Sequence, residues 1–166
     1  MPRHPLSGEI HFWRLDAARH APGWRTGLGA ERGGGRWNPK GLATVYASLD
    51  PATAILEVAV HKGFAALDSK AHVLTQVRVL DASAVHVLEP HALPNPNWLV
   101  PGTPSRSQQQ FGAQLLEQHP FVVVPSSVSR HSWNLLMNPA LAAGLHEVVL
   151  QEPFALDGRL DPAERC

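Results

Sequence analysis

Between Gly33 and Glu57 the chain collects residue types that could bind and break a phosphorylated ligand (GGGRWNPKGLATVYASLDPATAILE). Three glycines precede Arg36, and glycine lets a backbone approach a ligand closely. Arg36 offers a fixed fork of donors that matches phosphate or carboxylate. Trp37 adds a flat apolar face beside it. Tyr46 follows ten residues after Arg36, and Glu57 eleven after that. Glu57 is the only charge in residues 52–60. A carboxylate on so apolar a helix has to be paired or hydrogen-bonded. Helical spacing puts Thr53 and His61 on its side, at i−4 and i+4. Taken singly, each residue also fits a structural role: a paired helix glutamate, a surface arginine, a core tyrosine.

The elements that must position these residues are readable in outline. Residues 10–15 (IHFWRL) and 43–48 (ATVYAS) read as strands. The Gly-, Arg- and Pro-rich stretch 16–42 between them reads as a long functional loop with room for a helical turn. Asp50-Pro51 is a strong helix start, with Asp as N-cap and Pro at the first helical position. The helix should run to His61, stop at Gly63 and be largely buried. Residues 71–80 and 85–88 read as strands. Five prolines make 90–104 irregular. Ser105 or Ser107 can cap a helix ending near Gln118. Residues 121–124 form a buried strand, 129–137 a loop or short helix, and 146–150 a last strand. The polar tail 157–166 should fray. Strands and helices mix without a βαβ rhythm, which favours a single α+β domain over 1–156.

Bulk properties exclude several classes. The 166 residues are enough for one domain with a sizeable core. Fourteen basic residues balance fourteen acidic ones. A dedicated nucleic-acid binder would show a basic excess, so no direct nucleic-acid binding is expected. A lone cysteine, Cys166, allows neither an internal disulfide nor a thiolate cluster. The ten histidines show no HExxH or HxH spacing, so no metal site is expected. There is no apolar leader and no run of roughly 18 apolar residues, so the expected location is the cytoplasm, off the membrane. No GxGxxG or GxxxxGK[ST] supports a Rossmann or P-loop site.

In order along nearly its whole length, the chain reads FWRL (12–15), GGRWN (34–38), VYAS (45–48), ILEVAVH (55–61), VPS (124–126) and NLLMNP (134–139). This pattern resembles the RES domain, a family of toxins in bacterial toxin–antitoxin pairs. The resemblance implies an ADP-ribosyltransferase-like fold of mixed sheets with flanking helices, acting on NAD as substrate without a prosthetic group. It makes Arg36 the family arginine and Glu57 the family glutamate. Ser126 is the family serine, with Ser127 as the register alternative, and Tyr46 the family tyrosine. It places Arg14 and Trp37 in the NAD site and gives Asn134 and Asn138 weaker claims on it.

Its implied chemistry is cleavage of the nicotinamide–ribose bond with inorganic phosphate or water as acceptor, or ADP-ribosyl transfer to a host protein. A carboxylate would steady the oxocarbenium character that develops on the ribose. The implied partner is a helix-turn-helix antitoxin of the Xre type, with a homodimer in the complex. A non-catalytic binding module or an RNase-type toxin is the reading from another class, disfavoured by the neutral charge and the lack of a basic, aromatic RNA face.

Overall fold

The computed structural model describes Leu6, residues 8–157 and Arg159. Seven strands form one mixed sheet: β1 (His11–Ala17), β2 (Val45–Ser48), β3 (His72–Val79), β4 (Val85–Val87), β5 (Phe121–Pro125), β6 (Trp133–Met137) and β7 (His146–Phe154). Their order is β4-β5-β6-β2-β1-β3-β7. All neighbours are antiparallel except β4 and β5, which run parallel. This is the α+β single domain expected, with one continuous sheet in place of several.

Strand alternation divides the core in two. On one face Phe12, Val45, Ala47, Val77, Phe121, Val123, Leu135 and Met137 pack under Trp24 and under Ala142 of α5 (Pro139–Ala142). On the other, Val122, Val124 and Leu136 lie under Leu116 of α4 (Arg106–Gln118). Further along that face, Leu15 and Leu74 lie under Ala59 of α2 (Pro51–Lys62) and Leu67 of α3 (Phe64–Ser69). β1 meets β2 at one rung only, Trp13 opposite Ser48, whereas it pairs with β3 along its whole length.

α2 begins as its sequence dictates. Asp50 accepts from the Thr53 N–H at 2.8 Å and from the Thr53 hydroxyl at 2.7 Å. At the other end the Gly63 N–H bonds the Ala59 carbonyl at 2.8 Å. Its expected burial is corrected: Leu56 is 38% and Val60 59% exposed. The helix rests on the sheet through Ala54, Ala59 and the flanks of Ile55 and Val58, and its outer apolar ridge is left open.

Three other expectations shift. Within residues 129–137, where a loop or short helix was expected, Trp133–Met137 form the inner strand β6. β6 is paired on both sides and covered on both faces, so its apolar run carries no two-residue alternation to betray it. The stretch 16–42 contains a 3-10 turn at Ala18–Gly23 and a six-residue helix, α1 (Leu28–Gly33). The last strand continues past 150 to Phe154. The Pro-rich stretch forms two short 3-10 turns, Pro90–Ala92 and Pro96–Leu99, and Ser105 is the residue that caps α4, accepting from Gln108 N–H at 3.1 Å. The expected frayed tail lies outside the described residues, apart from Asp157 and Arg159. No helix among the described residues is long and apolar enough to cross a membrane.

α4 crosses the backbone of Trp37 at Gly112. A Cβ there would stand 1.9 Å from the Trp37 carbonyl oxygen. Both partners are main chain, so the contact yields only if the helix moves. Gly112→Ala should therefore destabilise the fold by about 2–3 kcal/mol, the upper range for overpacking, despite alanine's better helix propensity. Urea unfolding followed by circular dichroism measures this.

Candidate active site

Glu57 lies mid-way along α2 and reaches over β6. Its Oε1 accepts from the Asn134 side-chain amide at 2.7 Å and from the Ser126 hydroxyl at 2.9 Å. Asn134 is itself oriented by Ser48, whose hydroxyl donates to its Oδ1 at 2.8 Å. Ser126, just past the end of β5, is buried. Its hydroxyl proton goes to Glu57, and its oxygen accepts from the Val128 and Ser129 N–H groups, each at 3.1 Å. That uses the full bonding capacity of a hydroxyl. Glu57 Oε2 takes no hydrogen bond among the described residues; His61 Nε2 stands 3.9 Å from it, and the His61 side chain is 75% exposed. One carboxylate oxygen is thus locked and the other is open.

A second network fixes the glycine-arginine loop. The Tyr46 hydroxyl donates to Asn38 Oδ1 at 2.6 Å and accepts from the Trp37 N–H at 2.9 Å. The fully buried Asn38 amide donates to the carbonyls of Ala30, Pro39 and Leu42 at 2.9, 3.0 and 3.1 Å. Gly35 is required by this packing, since a Cβ would stand 2.5 Å from the Tyr46 hydroxyl. Gln109 of α4 donates to the Gly35 carbonyl at 2.9 Å. Burial pushes the Tyr46 phenol far above its ordinary range, against the smaller opposing effects of its bonds to residues 37 and 38 and of the nearby Arg36 charge.

The arginines hold backbone carbonyls. Arg36 donates through Nη1 to Trp98 and Val100 at 3.0 and 3.5 Å, and through Nη2 to Gly102 at 3.2 Å. It thereby ties down the Pro-rich strap, with Gln108 also donating to the Trp98 carbonyl at 3.1 Å. Arg14 binds the buried Asp16 through Nε at 3.0 and 3.1 Å and through Nη2 at 2.9 Å, and gives Nη1 to the Tyr46 carbonyl at 2.7 Å.

Of the residues expected in the site, Glu57, Ser126 and Asn134 are brought into direct contact. Tyr46 and Arg36 stand together beside them, and Arg14 touches Tyr46 from the seam between β1 and β2. Between the two candidate serines, Ser126 makes the bond to Glu57. Trp37 is not an open face beside Arg36. It is 2% exposed and packs edge-on against Trp98. Thr53, expected on the Glu57 side, spends its hydroxyl on Asp50. Asn138 caps α5 and bonds the Leu116 carbonyl at 2.8 Å, away from the network. Ser48, Asn38 and Gln109 were not anticipated. Ser48 had a signal: two residues after Tyr46 on a strand, it must share its face. Among the described residues no three His, Cys, Asp or Glu side chains could hold a metal ion.

The RES domain model matches residues 11–157, nearly nine-tenths of the chain. The chain belongs to the RES domain family. It is 30% identical over 163 residues to a protein of Photorhabdus laumondii named Toxin Res, covering 93% of this chain and 99% of that one. It is 35% identical over 135 residues to a Sphingobium protein named Prs ADP-ribosylating toxin, covering 78% and 82%. The fold is shared with a chain of the M. tuberculosis MbcT–MbcA toxin–antitoxin complex, at a TM-score of 0.73 and 21% identity over 90% of this chain and 86% of that one. The architecture of this RES domain is thus the ADP-ribosyltransferase-like one its motifs imply.

Tyr46 is the chain's only tyrosine, so its ionisation can be watched alone in the tyrosinate absorbance band. Its folded pKa is raised, so the native state keeps a proton that the unfolded chain gives up above about pH 10. The burial contribution to stability is therefore intact below that pH and is lost as pH rises above it. Tyrosinate absorbance should appear only together with unfolding. Tyr46→Phe should unfold with a shallower alkaline slope, and at neutral pH should cost about 1–3 kcal/mol for the partners left unpaired.

Proposed function

We propose that this RES domain is the toxin of a toxin–antitoxin pair and cleaves the nicotinamide–ribose bond of NAD, passing the ADP-ribosyl group to inorganic phosphate or water. The observation that carries this reading is the half-occupied Glu57 carboxylate. Ser126 and Asn134 fix its direction through Oε1 and leave Oε2 as a fixed negative charge at a partly buried position. When the C–N bond breaks, its electron pair goes to the ring nitrogen and nicotinamide leaves neutral. Positive charge then spreads over ribose C1′ and the ring oxygen. A preorganised carboxylate oxygen stabilises that charge without having to reorient, and can accept a bond from a ribose hydroxyl. The acceptor oxygen adds to C1′ and gives up a proton. No acid is needed for the leaving group, which accounts for one carboxylate sufficing.

Arg36 and Arg14 are the pyrophosphate clamps in this reading. Both now hold neutral carbonyls among their partners, and charge-assisted bonds to phosphate are roughly twice as strong as such neutral bonds. Exchange of carbonyl for phosphate at Arg36 would release the strap. The Tyr46 ring is the surface for nicotinamide, held in place by its hydroxyl. Trp37 contributes its N–H to Tyr46. Ser126 and Asn134 direct Glu57 and close the ribose end. The reading also includes an Xre-type helix-turn-helix antitoxin, a homodimer in the complex, and a cytoplasmic pool of NAD as the target. That this fold recurs in a toxin–antitoxin complex supports the antitoxin.

The name of the Sphingobium relative favours a second reading on the same site, transfer of ADP-ribose to a protein. Purified protein with labelled NAD separates the two. Bulk NAD loss with free ADP-ribose or its 1″-phosphate supports degradation. A discrete labelled acceptor band in lysate supports transfer. NAD left intact in every arm refutes both.

Glu57→Gln keeps an oxygen for Ser126 and Asn134 and removes the charge. It should lower NAD turnover by about 10²–10³-fold, as loss of a preorganised charge-stabilising group does elsewhere, with an unchanged melting curve. Asn134→Ala should cost less, about tenfold, by letting the carboxylate swing.

A further inference from the structure

A cavity of about 270 Å³ opens at the end of α2 remote from its cap. It is lined by Ala17, Arg19, Lys62, Ala66, Lys70 and His72. Four of these six residues are basic and none is acidic. Among the described residues Arg19, Lys62 and Lys70 make no ion pair with a carboxylate. The chain as a whole is electrically balanced, so this is a local concentration of one sign, held together against its own repulsion. The dipole of α2 accounts for Lys62 at its C-terminal end. It does not account for the other three, which come from the turn after β1 and from the start of β3.

His72 is what makes the cavity a built site. It is 3% exposed. Its Nδ1 lies 2.7 Å from the Lys70 carbonyl. A carbonyl only accepts, so Nδ1 carries a proton and the ring is fixed. Nε2 is then the ring atom left for a ligand in the cavity, as an acceptor when the ring is neutral and a donor when it is charged. Ala17, paired with His72 across β1 and β3, and Ala66 contribute short side chains and leave the room.

The cavity is separate from the Glu57 network. Lys62 is five residues beyond Glu57, about 7.5 Å along the helix axis and about 140° around it. Ala17 is four residues beyond Trp13, the β1 residue level with Ser48, or about 13 Å along the strand. A cavity of this size has room for a compact anion. An Arg fork and two ammonium groups arriving from separate elements suit an anion with several oxygens to share.

We propose that Arg19, Lys62, Lys70 and Nε2 of His72 form a second anion site that takes a phosphate or pyrophosphate group. It stands whether or not the Glu57 site uses NAD. The test is calorimetric titration of the full chain, at low salt, with inorganic phosphate, pyrophosphate and ADP, while the His72 imidazole signal is followed by NMR. Pyrophosphate should bind and shift that signal equally in the unaltered protein and in Glu57→Gln. Its affinity should fall at least about tenfold in Lys62→Gln/Lys70→Gln, whose two altered side chains are exposed and whose NAD turnover should be unchanged. ADP binding as tightly as pyrophosphate, with the same His72 shift, identifies a nucleotide phosphate as the source. Pyrophosphate binding alone identifies the free anion. A His72 signal that does not move overturns the proposal, as does one that moves with the same midpoint in the double variant; pyrophosphate held at Arg36 and Arg14 leaves that signal in place and is counted separately.

Discussion

The antiparallel pairing of β2 with β6 is the constraint on which the site depends. Its rungs run from Val45 opposite Met137 to Ser48 opposite Asn134. They join segments about ninety residues apart in sequence. The last rung delivers Asn134 to Ser48, and the turn into α2 begins two residues later. Glu57 can therefore reach Asn134 only because β6 is seated beside β2, and Ser126 only because β5 is seated beside β6. Local propensity builds α2 by itself, through Asp50, Pro51 and Gly63. It cannot place the carboxylate. That placement is non-local and carries the loop-closure entropy of a long chain segment.

The same distinction separates what the sequence made legible from what it did not. Caps and breakers at α2 and α4 act over three or four residues, and both helices could be read from them. The strands with clear apolar runs, β1, β2, β3 and β5, could be placed as well. β6 could not, because a strand covered on both faces has no alternation and its identity lies in its partners. In the site, Arg36, Tyr46, Glu57 and Ser126 were recognisable as a set from ordered motifs. What they touch was not: that Arg36 would hold three carbonyls of a loop more than sixty residues on, or that Trp37 would be core. The isolated charge in residues 52–60 was the strongest purely physical clue. It correctly demanded partners for Glu57 without naming them.

Polar groups here divide into those that hold other protein groups and those left over. Asn38, Ser126 and the Tyr46 hydroxyl are fully committed, and they keep the loop and the carboxylate rigid. Glu57 Oε2 is uncommitted among the described residues. Preorganisation of this kind places the cost of fixing a charge in folding rather than in the reaction. The exposed ridge of Leu56 and Val60 on the same helix shows that α2 is not optimised for burial alone.

The single rung between β1 and β2 leaves the sheet's hydrogen-bond ladders in two plates, which are also bridged by the shared core of Phe12, Val45 and Phe121. β4-β5-β6-β2 forms one plate and β1-β3-β7 the other, each with its own continuous ladder. Next to the joint, the Tyr46 carbonyl takes its bond from the Arg14 side chain in place of a strand neighbour. A side chain can lengthen or swing where a ladder rung cannot. Relative rotation of the plates would thus change the spacing between Arg14 and the Glu57 network without breaking either ladder. Hydrogen bonding between neighbouring strands is thus thinnest along this seam, and its one rung falls at Ser48, the residue that orients Asn134.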